Sequence, residues 1–340
     1  MAALSKHWKK IALVVVFVIS LFVPVFVQND YFLGIIILGY VWAIATYGLN
    51  ILLGYTGQLS LGHAGFFGIG AYTVGVLTVN YEFPFWPSLL LAAIASSVLG
   101  FLIGIFALRT RNEYFAIFTL GVGFVIYLVI ERWEGLTGGA LGLIGVPYPE
   151  GIGPIQFDGP ESIYYLILGF LILTIYIAWS IANSLVGRSF MAIRNSEELA
   201  AATGINVGRA KQLAFAISTG IAGLAGGLYA TYIGFLGPAI VNVPTTFEIL
   251  LYLLVGGMGS LSGPLVGAFL VTTLFQFLQQ FEAYRLVILG PIVVILIIFF
   301  PKGLAGLWAA LETRIKAMRG KGEMSGDAGA SEEPAKEEAK

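Results

Sequence analysis

The chain has 340 residues, of which 58% are hydrophobic and 11% are charged, and its mean hydropathy is +0.90. Soluble domains carry roughly 25% charged residues, so this composition excludes a soluble protein and indicates an integral membrane protein. The net charge of −1 gives no reason to expect a nucleic-acid partner, and a chain without cysteine has no disulfide or thiolate chemistry. With two histidines and few carboxylates in the apolar stretches, we expect neither a metal site nor a cofactor.

The N-terminal half predicts a series of apolar helices. An arm with three lysines precedes an apolar run at residues 11–27. We interpret this run as a first helix that is not cleaved, because no small-residue cleavage site follows it. Residues 31–53 are long enough to cross a hydrocarbon core of about 30 Å. A glycine-rich stretch then covers residues 54–70 and continues as an apolar run. The further spans predicted in this half are residues 87–108, 114–130 and 162–182.

The C-terminal half contains two long polar segments between further spans. Residues 131–160 are rich in Gly, Pro and acidic residues and show no helix or strand period, which predicts an outer loop or a lid. Residues 187–211 form a polar interruption that is also basic. We expect residues 311–340 to be a disordered cytoplasmic tail, because they have no apolar period. The remaining predictions are spans at 213–235, 247–255, 265–280 and 285–300, a turn at 237–246 and a second glycine-rich stretch at 256–268.

The positions of the basic residues predict the orientation. If both termini are cytoplasmic and the chain crosses about ten times, every Lys and Arg except Arg132 and Arg285 lies on the cytoplasmic side. Both glycine-rich stretches then face the cytoplasm, either as turns or as re-entrant segments. We therefore predict an all-α, polytopic transmembrane helical bundle over residues 1–310, with helices interrupted at the glycine-rich stretches.

The two glycine-rich stretches resemble each other. GQLS at residues 57–60 recurs as GSLS at residues 259–262, and each follows an apolar run. Transporters often contain paired repeats whose interrupted helices lie beside the substrate route. The alternative is chance similarity in a chain with 44 glycines. Under the first interpretation, the candidate substrate-pathway residues are Gln58, Ser60, His63, Glu248 and Ser260.

Two of these candidates also have a simpler explanation. His63 could form a hydrogen bond from one helix to another, and Glu248 could lie at the outer membrane interface. A buried acid costs roughly 2.5–3.5 kcal/mol at mid-helix, so acids within spans are usually functional.

The spans contain few acids, which argues against a proton or sodium pump and suits a neutral or zwitterionic solute.

A short helix is predicted inside the basic segment. Asn195 or Ser196 can cap its start, and Glu197 and Glu198 lie in the first turn, where the helix dipole favours negative charge. Gly204 is a natural stop. Such a helix between two spans is either a docking element or a solvated loop.

Motifs for catalysis are absent from the sequence. It contains no phosphate-binding G-x-x-x-x-G-K-[ST] loop, no G-x-S-x-G and no H-E-x-x-H. We therefore expect the chain not to be an enzyme and not to bind ATP in the P-loop manner.

Several segments together resemble one family, the permease subunit of branched-chain amino acid ABC importers. They are YGLNILLGYTGQLSLGHAGFFGIG at 47–70, YFAIFTL at 114–120, LTGG at 136–139 with GVP at 145–147, ELAAATGIN at 198–206 with residues 213–230, and GGMGSLSGPLVGA at 256–268. They occur in the family's order and touch nearly every span between residues 47 and 268.

The resemblance implies a coupling role for the short helix. In such importers a cytoplasmic helix with the pattern Glu-Ala-Ala and then Gly docks in a cleft of the ATPase subunit. Leu199 stands where the pattern has its first alanine, which is a departure from it. The residues that the resemblance assigns to coupling are Glu197, Glu198, Ala200, Ala201 and Gly204.

The resemblance also implies partners and a location. The implied partners are a second homologous permease, two ATP-binding cassette subunits and a periplasmic solute-binding protein, in the inner membrane. The loop that holds Thr137, Gly138 and Gly139 would face the binding protein. The alternatives are a permease for urea or short amides, an ion-coupled secondary carrier, or a structural membrane protein.

Overall fold

The computed structural model describes residues 19–27, 29–110, 113–154 and 156–278, together with 291, 303–304 and 306. In this part of the chain the protein is a bundle of α-helices with one pair of two-residue strands, which confirms the predicted fold class. The N-terminal arm, most of the first predicted span, the chain beyond residue 278 that includes the last predicted span, and the tail at 311–340 lie outside the described residues.

The helices follow the predicted spans closely. They are α1 (residues 19–26), α2 (Asp30–Leu49), α3 (His63–Asn80), α4 (Phe85–Ala107), α5 (Glu113–Arg132), α6 (Glu134–Thr137), α7 (Pro160–Asn183), α8 (Leu185–Asn195), α9 (Glu197–Ala202), α10 (Val207–Ile233), α11 (Val243–Gly256) and α12 (Gly263–Leu278). A π-helical turn at Asn50–Gly54 extends α2, and 3₁₀ turns lie at Gly139–Leu141 and Pro238–Val241.

Five segments in the described part are long and apolar enough to cross a membrane: α2 with its π turn, α4, α5, α7 and α10. Helices α11 and α12 are shorter apolar helices of 14 and 16 residues. The total of about ten spans therefore stays a prediction.

Helices α2 and α10 form the centre of the bundle. In each, 67% of the most apolar window is buried, against 28% in α4, α5 and α7, whose outward faces carry many exposed apolar side chains. The helices approach through glycines: a Cβ at Gly70 of α3 would lie 1.9 Å from the carbonyl oxygen of Gly223 in α10. Small residues allow such close backbone contact, which stabilises helix pairs in lipid.

The predicted outer loop is more ordered than its sequence indicates, and the expectation of no helix or strand there was wrong. It contains α6, a 3₁₀ turn and strand β1 (Leu143–Ile144), which pairs antiparallel with β2 (Phe235–Leu236). Gly138 and Gly142 adopt positive φ angles of 76° and 78°, which glycine allows at little steric cost. Two-residue strands and one-turn helices are too short to produce a period in the sequence.

The basic segment also differs from its prediction. It holds two helices, α8 and α9, and α10 begins at Val207 rather than near residue 213. Arg209 and Lys211 therefore lie in the first turns of α10. The turn predicted at 237–246 is a 3₁₀ turn followed by the first residues of α11.

Candidate translocation and coupling site

The first glycine-rich stretch interrupts a helix inside the bundle. The π turn ends at Gly54, the chain turns at Gly57 with φ +76°, and α3 begins only at His63. Gly62 is buried, and a Cβ on it would lie 2.2 Å from the carbonyl oxygen of Thr119 in α5. The break is thus a non-helical segment that lies against neighbouring helices.

The second glycine-rich stretch has a similar conformation. Helix α11 ends at Gly256, and Gly259 adopts φ +77°, close to the φ angle of Gly57. Ser260 caps the start of α12, because its Oγ accepts a hydrogen bond of 3.0 Å from the N–H of Gly263. Both stretches therefore turn at a glycine with positive φ, and their interpretation as a repeat stays a prediction.

Asn50 joins the two breaks. Its Nδ2 donates to the carbonyl of Ser260 at 3.0 Å, and its Oδ1 accepts from the N–H of Gly259 at 2.8 Å. Tyr47, one turn earlier, donates from its hydroxyl to the carbonyl of Leu261 at 2.7 Å. Asn50 is fully buried, so both ends of its amide replace the backbone hydrogen bonds that the broken helices lose.

Arg194 connects both breaks to the basic segment. It lies in the last turn of α8, and its Nη1 donates a short hydrogen bond to the carbonyl of Gly54. Its side chain also packs on the glycines: a Cβ at Gly57 would lie 3.5 Å from Arg194 Cγ, and one at Gly259 would lie 2.4 Å from Nη1. Both breaks therefore contact one guanidinium-bearing side chain, and both lie at the end of the bundle that holds the basic segment.

Helix α9 forms where the sequence predicts it. Ser196 is the N-cap, with its Oγ accepting from the N–H of Leu199 at 3.2 Å, and Gly204 has φ +87° just beyond the end. Glu197 Oε1 accepts a short ion-pair hydrogen bond from Lys211 and a 3.3 Å bond from Gln58 Nε2. These contacts hold α9 against the bundle, and its docking to another protein stays a prediction.

The outer face of α9 is exposed in the part of the chain that the structure describes. Ala200 is 3% exposed, whereas Leu199 is 66% exposed and Glu198, Ala201 and Gly204 are also exposed. Beside it, an open groove of about 390 Å³ runs between α8 and the start of α10. Its lining includes Phe190, Gly204, Asn206 and Arg209.

The five candidate pathway residues have different contacts among the described residues. Gln58 contacts the coupling segment and Ser260 caps α12, so both have roles at the breaks. Glu248 is half-buried in α11, close enough to Tyr229 for an electrostatic interaction. Ser60 and His63 lie at the start of α3.

Ser60 and His63 are fully buried polar side chains with unused hydrogen-bonding capacity. Among the described residues Ser60 Oγ has no hydrogen-bond partner, whereas the ring of His63 lies against the backbone of Ala45 in α2. The contact with Ala45 favours the interhelical hydrogen bond considered for His63. Buried polar groups without partners are rare and require an explanation.

The predicted binding-protein residues are internal supports of the outer loop. Thr137 is 4% exposed, and its hydroxyl bonds to the carbonyls of Ile130 at 2.6 Å and Trp133 at 2.8 Å. Gly138 and Gly139 provide the turn that follows. The large apolar side chains that the loop exposes are Leu141, Ile144, Tyr148 and Ile152.

Sequence reasoning named Arg194 and Lys211 only as basic residues that frame the polar segment, and it did not single out Asn50 or the pairing of Lys211 with Glu197. An asparagine at the end of an apolar span was the available signal for Asn50, since a buried amide needs partners. Within the described ranges there is no group of three or more His, Cys, Asp or Glu side chains that could hold a metal ion.

Comparison with known proteins gives a consistent set of relatives. The family model described as "Branched-chain amino acid transport system / permease component" matches residues 31–298. The high-affinity branched-chain amino acid transport system permease protein LivM of Salmonella typhimurium is 31% identical over 307 residues, covering 84% of this chain and 72% of the relative. LivM of Escherichia coli is 30% identical over 318 residues, covering 87% of this chain and 75% of the relative.

A second group of relatives is matched over a shorter length. The autoinducer 2 import system permease protein LsrC of Yersinia pseudotuberculosis is 30% identical over 215 residues, covering 60% of this chain and 58% of the relative. No solved structure gives a significant match to the chain.

Proposed function

We propose that this chain, which belongs to the family of permease components of branched-chain amino acid transport systems, is the membrane subunit of an ATP-driven importer for branched-chain or other small neutral amino acids. It works in the inner membrane with both termini in the cytoplasm. A second homologous permease completes the path, two ATP-binding cassette subunits supply the energy, and a periplasmic binding protein delivers the solute.

The observation that carries this proposal is the contact between the basic segment and both helix breaks. Glu197 of α9 bonds to Gln58 in the first break, and Arg194 of α8 contacts both breaks. A displacement of α8 and α9 is therefore transmitted to the ends of α2, α3, α11 and α12 without an intermediate element. This is the connection that a permease driven by separate ATPases needs.

The exposed face of α9 is the proposed docking surface for the ATPase. It presents Glu198, Leu199, Ala201 and Gly204, next to the open groove between α8 and α10. Its buried face, at Ala200, fixes the helix to the bundle. One side of α9 therefore holds it to the bundle, and the other side is the proposed contact for the ATPase.

At the opposite end, the ordered outer loop is the proposed contact for the binding protein. Thr137, Gly138 and Gly139 fix the loop's shape. The exposed apolar side chains, which include Leu141 at 85% and Ile144 at 73%, provide the surface. Exposed apolar patches of this kind are typical of protein contacts.

The test is uptake by the complex isolated from its native membrane and reconstituted in vesicles with its binding protein. We expect labelled leucine to accumulate with ATP, and labelled urea to stay outside. Co-purifying subunits identified by mass spectrometry should include two ATPases and a second permease. Leucine uptake that continues without ATP while an ion gradient is held would mean a secondary carrier, and uptake of urea instead of leucine would mean the amide permease.

A further inference from the structure

The two central helices, α2 and α10, are exposed at one place near the middle of the bundle. Trp42 is the middle residue of the 25-residue span that α2 forms with its π turn. Within residues 39–49 it is the single residue that is not buried, and Tyr229 is the single such residue within 225–231 of α10. The ring centroids of Trp42 and Tyr229 are 5.8 Å apart, so the two exposed positions adjoin each other.

Two further rings complete an aromatic cluster at this place. Phe67 of α3 stacks on Trp42 with a centroid distance of 5.1 Å and an interplanar angle of 18°, and it contacts Tyr229 at 5.5 Å. Tyr252 of α11 lies 6.0 Å from Trp42. Each of the four helices α2, α3, α10 and α11 thus contributes one ring to the cluster.

Glu248 brings a carboxylate to the aromatic cluster. It is half-buried in α11 and interacts electrostatically with Tyr229. It also precedes Tyr252 by four residues, a spacing that places both side chains on one face of α11. Charged side chains at mid-span almost always face the bundle interior or a water-filled cavity, because lipid does not solvate them. The exposed side of the cluster therefore belongs to a hydrated route rather than to a lipid-facing surface.

A carboxylate beside aromatic rings is suited to an ammonium group. The face of an aromatic ring attracts a cation, and this attraction is stronger where water is excluded. The carboxylate adds a charge-assisted hydrogen bond to the same group. The rings also offer apolar surface to an aliphatic side chain, which an inorganic cation would not use.

We propose that Glu248 binds the ammonium group of the transported amino acid, and that Trp42 and Tyr229 contact its aliphatic side chain. This proposal rests on the proposed function, which supplies a zwitterionic solute with such a side chain. The contact is ionic, and no covalent step is involved. The exposed side of the aromatic cluster then lies along the path that the second permease completes.

The first test compares three ligands by saturation-transfer NMR on the wild-type complex in detergent, without the binding protein. Leucinol keeps the ammonium group of leucine and lacks its carboxylate, whereas isocaproate keeps the carboxylate and lacks the ammonium group. We expect signals from leucine and leucinol, and signals at least about tenfold weaker from isocaproate. In Glu248→Gln the signals from leucine and leucinol should fall to the level of isocaproate.

The second test is leucine uptake by the reconstituted complex with its binding protein. Glu248→Gln should lower the maximal uptake rate about tenfold or more, because a neutral amide does not balance the ammonium charge. Glu248→Asp keeps the charge on a shorter side chain, so its rate should be intermediate. Glu161→Gln is the matched control, because it removes an exposed carboxylate at the start of α7. This control should retain the wild-type rate.

Two results would overturn the ammonium site and leave the proposed function standing. They are equal NMR signals from leucine and isocaproate in the wild type, and full uptake by Glu248→Gln. A basic side chain of the second permease that pairs with Glu248 would give the first of these results. If the wild-type complex imports no amino acid, the proposed function is wrong and this proposal fails with it.

Discussion

At the level of single side chains, Arg194 contacts both helix breaks. Its guanidinium donates to the carbonyl of Gly54 and lies against Gly259. Hydrogen bonds from charged groups contribute roughly 1.5–3 kcal/mol, and a planar fork holds its partners in fixed directions. We infer that Arg194 transmits the motion of α8 to the breaks.

We therefore expect Arg194→Gln to uncouple transport from hydrolysis. ATP hydrolysis by the reconstituted complex should continue, while leucine uptake per ATP falls about tenfold, the equivalent of 1.4 kcal/mol. Arg194→Lys keeps the charge but not the fork, so its uptake should be intermediate. Arg188→Gln, an exposed arginine on the same helix, is the control; a similar loss there would point to a general effect of charge.

Gly62 gives a prediction about packing. In Gly62→Ala the new Cβ would lie 2.2 Å from the carbonyl oxygen of Thr119, a backbone atom that cannot move aside easily. Overpacking of this kind costs about 1–3 kcal/mol, so the temperature of thermal unfolding in detergent should fall.

The matched variant is Gly121→Ala on α5, where no atom lies within 4 Å of the added Cβ. Alanine is favoured over glycine by about 1 kcal/mol within a helix, so this variant should be as stable as the wild type or more stable. Equal destabilisation of both variants would contradict the contact between α3 and α5.

At the level of elements, substitutions on the exposed face of α9 should affect docking to the ATPase without affecting the stability of the permease. Glu198 and Ala201 are exposed, so Glu198→Lys with Ala201→Asp should leave the permease folded. Replacing the carboxylate at 198 by an ammonium group and placing a new carboxylate at 201 changes the charge pattern of the outer face and should nevertheless prevent the ATPase subunits from co-purifying. The control is Glu82→Lys, which reverses an exposed charge just beyond the carboxyl end of α3. The ATPase subunits should still co-purify with this variant. Unchanged co-purification and uptake in the double variant would mean that α9 does not dock the ATPase.

The helices that the sequence predicts well are those whose signal is a long apolar run, such as α2, α4 and α7. Helix α8 was missed because its charges and Gly187 look like part of a loop. Its apolar residues Val186, Phe190 and Ile193 nevertheless have the i, i+4, i+7 spacing of one helix face, and the last two are buried. A search for that period would have found it.

The sequence predicted several residues of the site but not the contacts between them. A motif gives the position of Gln58 and Glu197 in the chain but not the hydrogen bond between them, because they are 139 residues apart in sequence. The same holds for Asn50 and Gly259, which are 209 apart. Contacts at such separations depend on how the helices pack, and a single sequence does not encode that packing locally.

For the whole molecule, the orientation can be tested with single cysteines, because the natural chain has none. Ile144 in the outer loop is 73% exposed and Leu199 in α9 is 66% exposed. With α9 in the cytoplasm, a membrane-impermeant maleimide should label Ile144→Cys in cells with a permeabilised outer membrane. Leu199→Cys should react only after the inner membrane is opened. The reverse labelling pattern would invert the topology.

Arg194 contacts both Gly57 and Gly259, and this shared contact limits how far one helix break can move without the other. Because one side chain touches both helix breaks, and Asn50 bonds to the second break from the end of α2, neither break can shift alone without losing these contacts. The two breaks should therefore move together, so that ATP-driven movement opens the route in a single cooperative step and leaves no leaky, partly switched state.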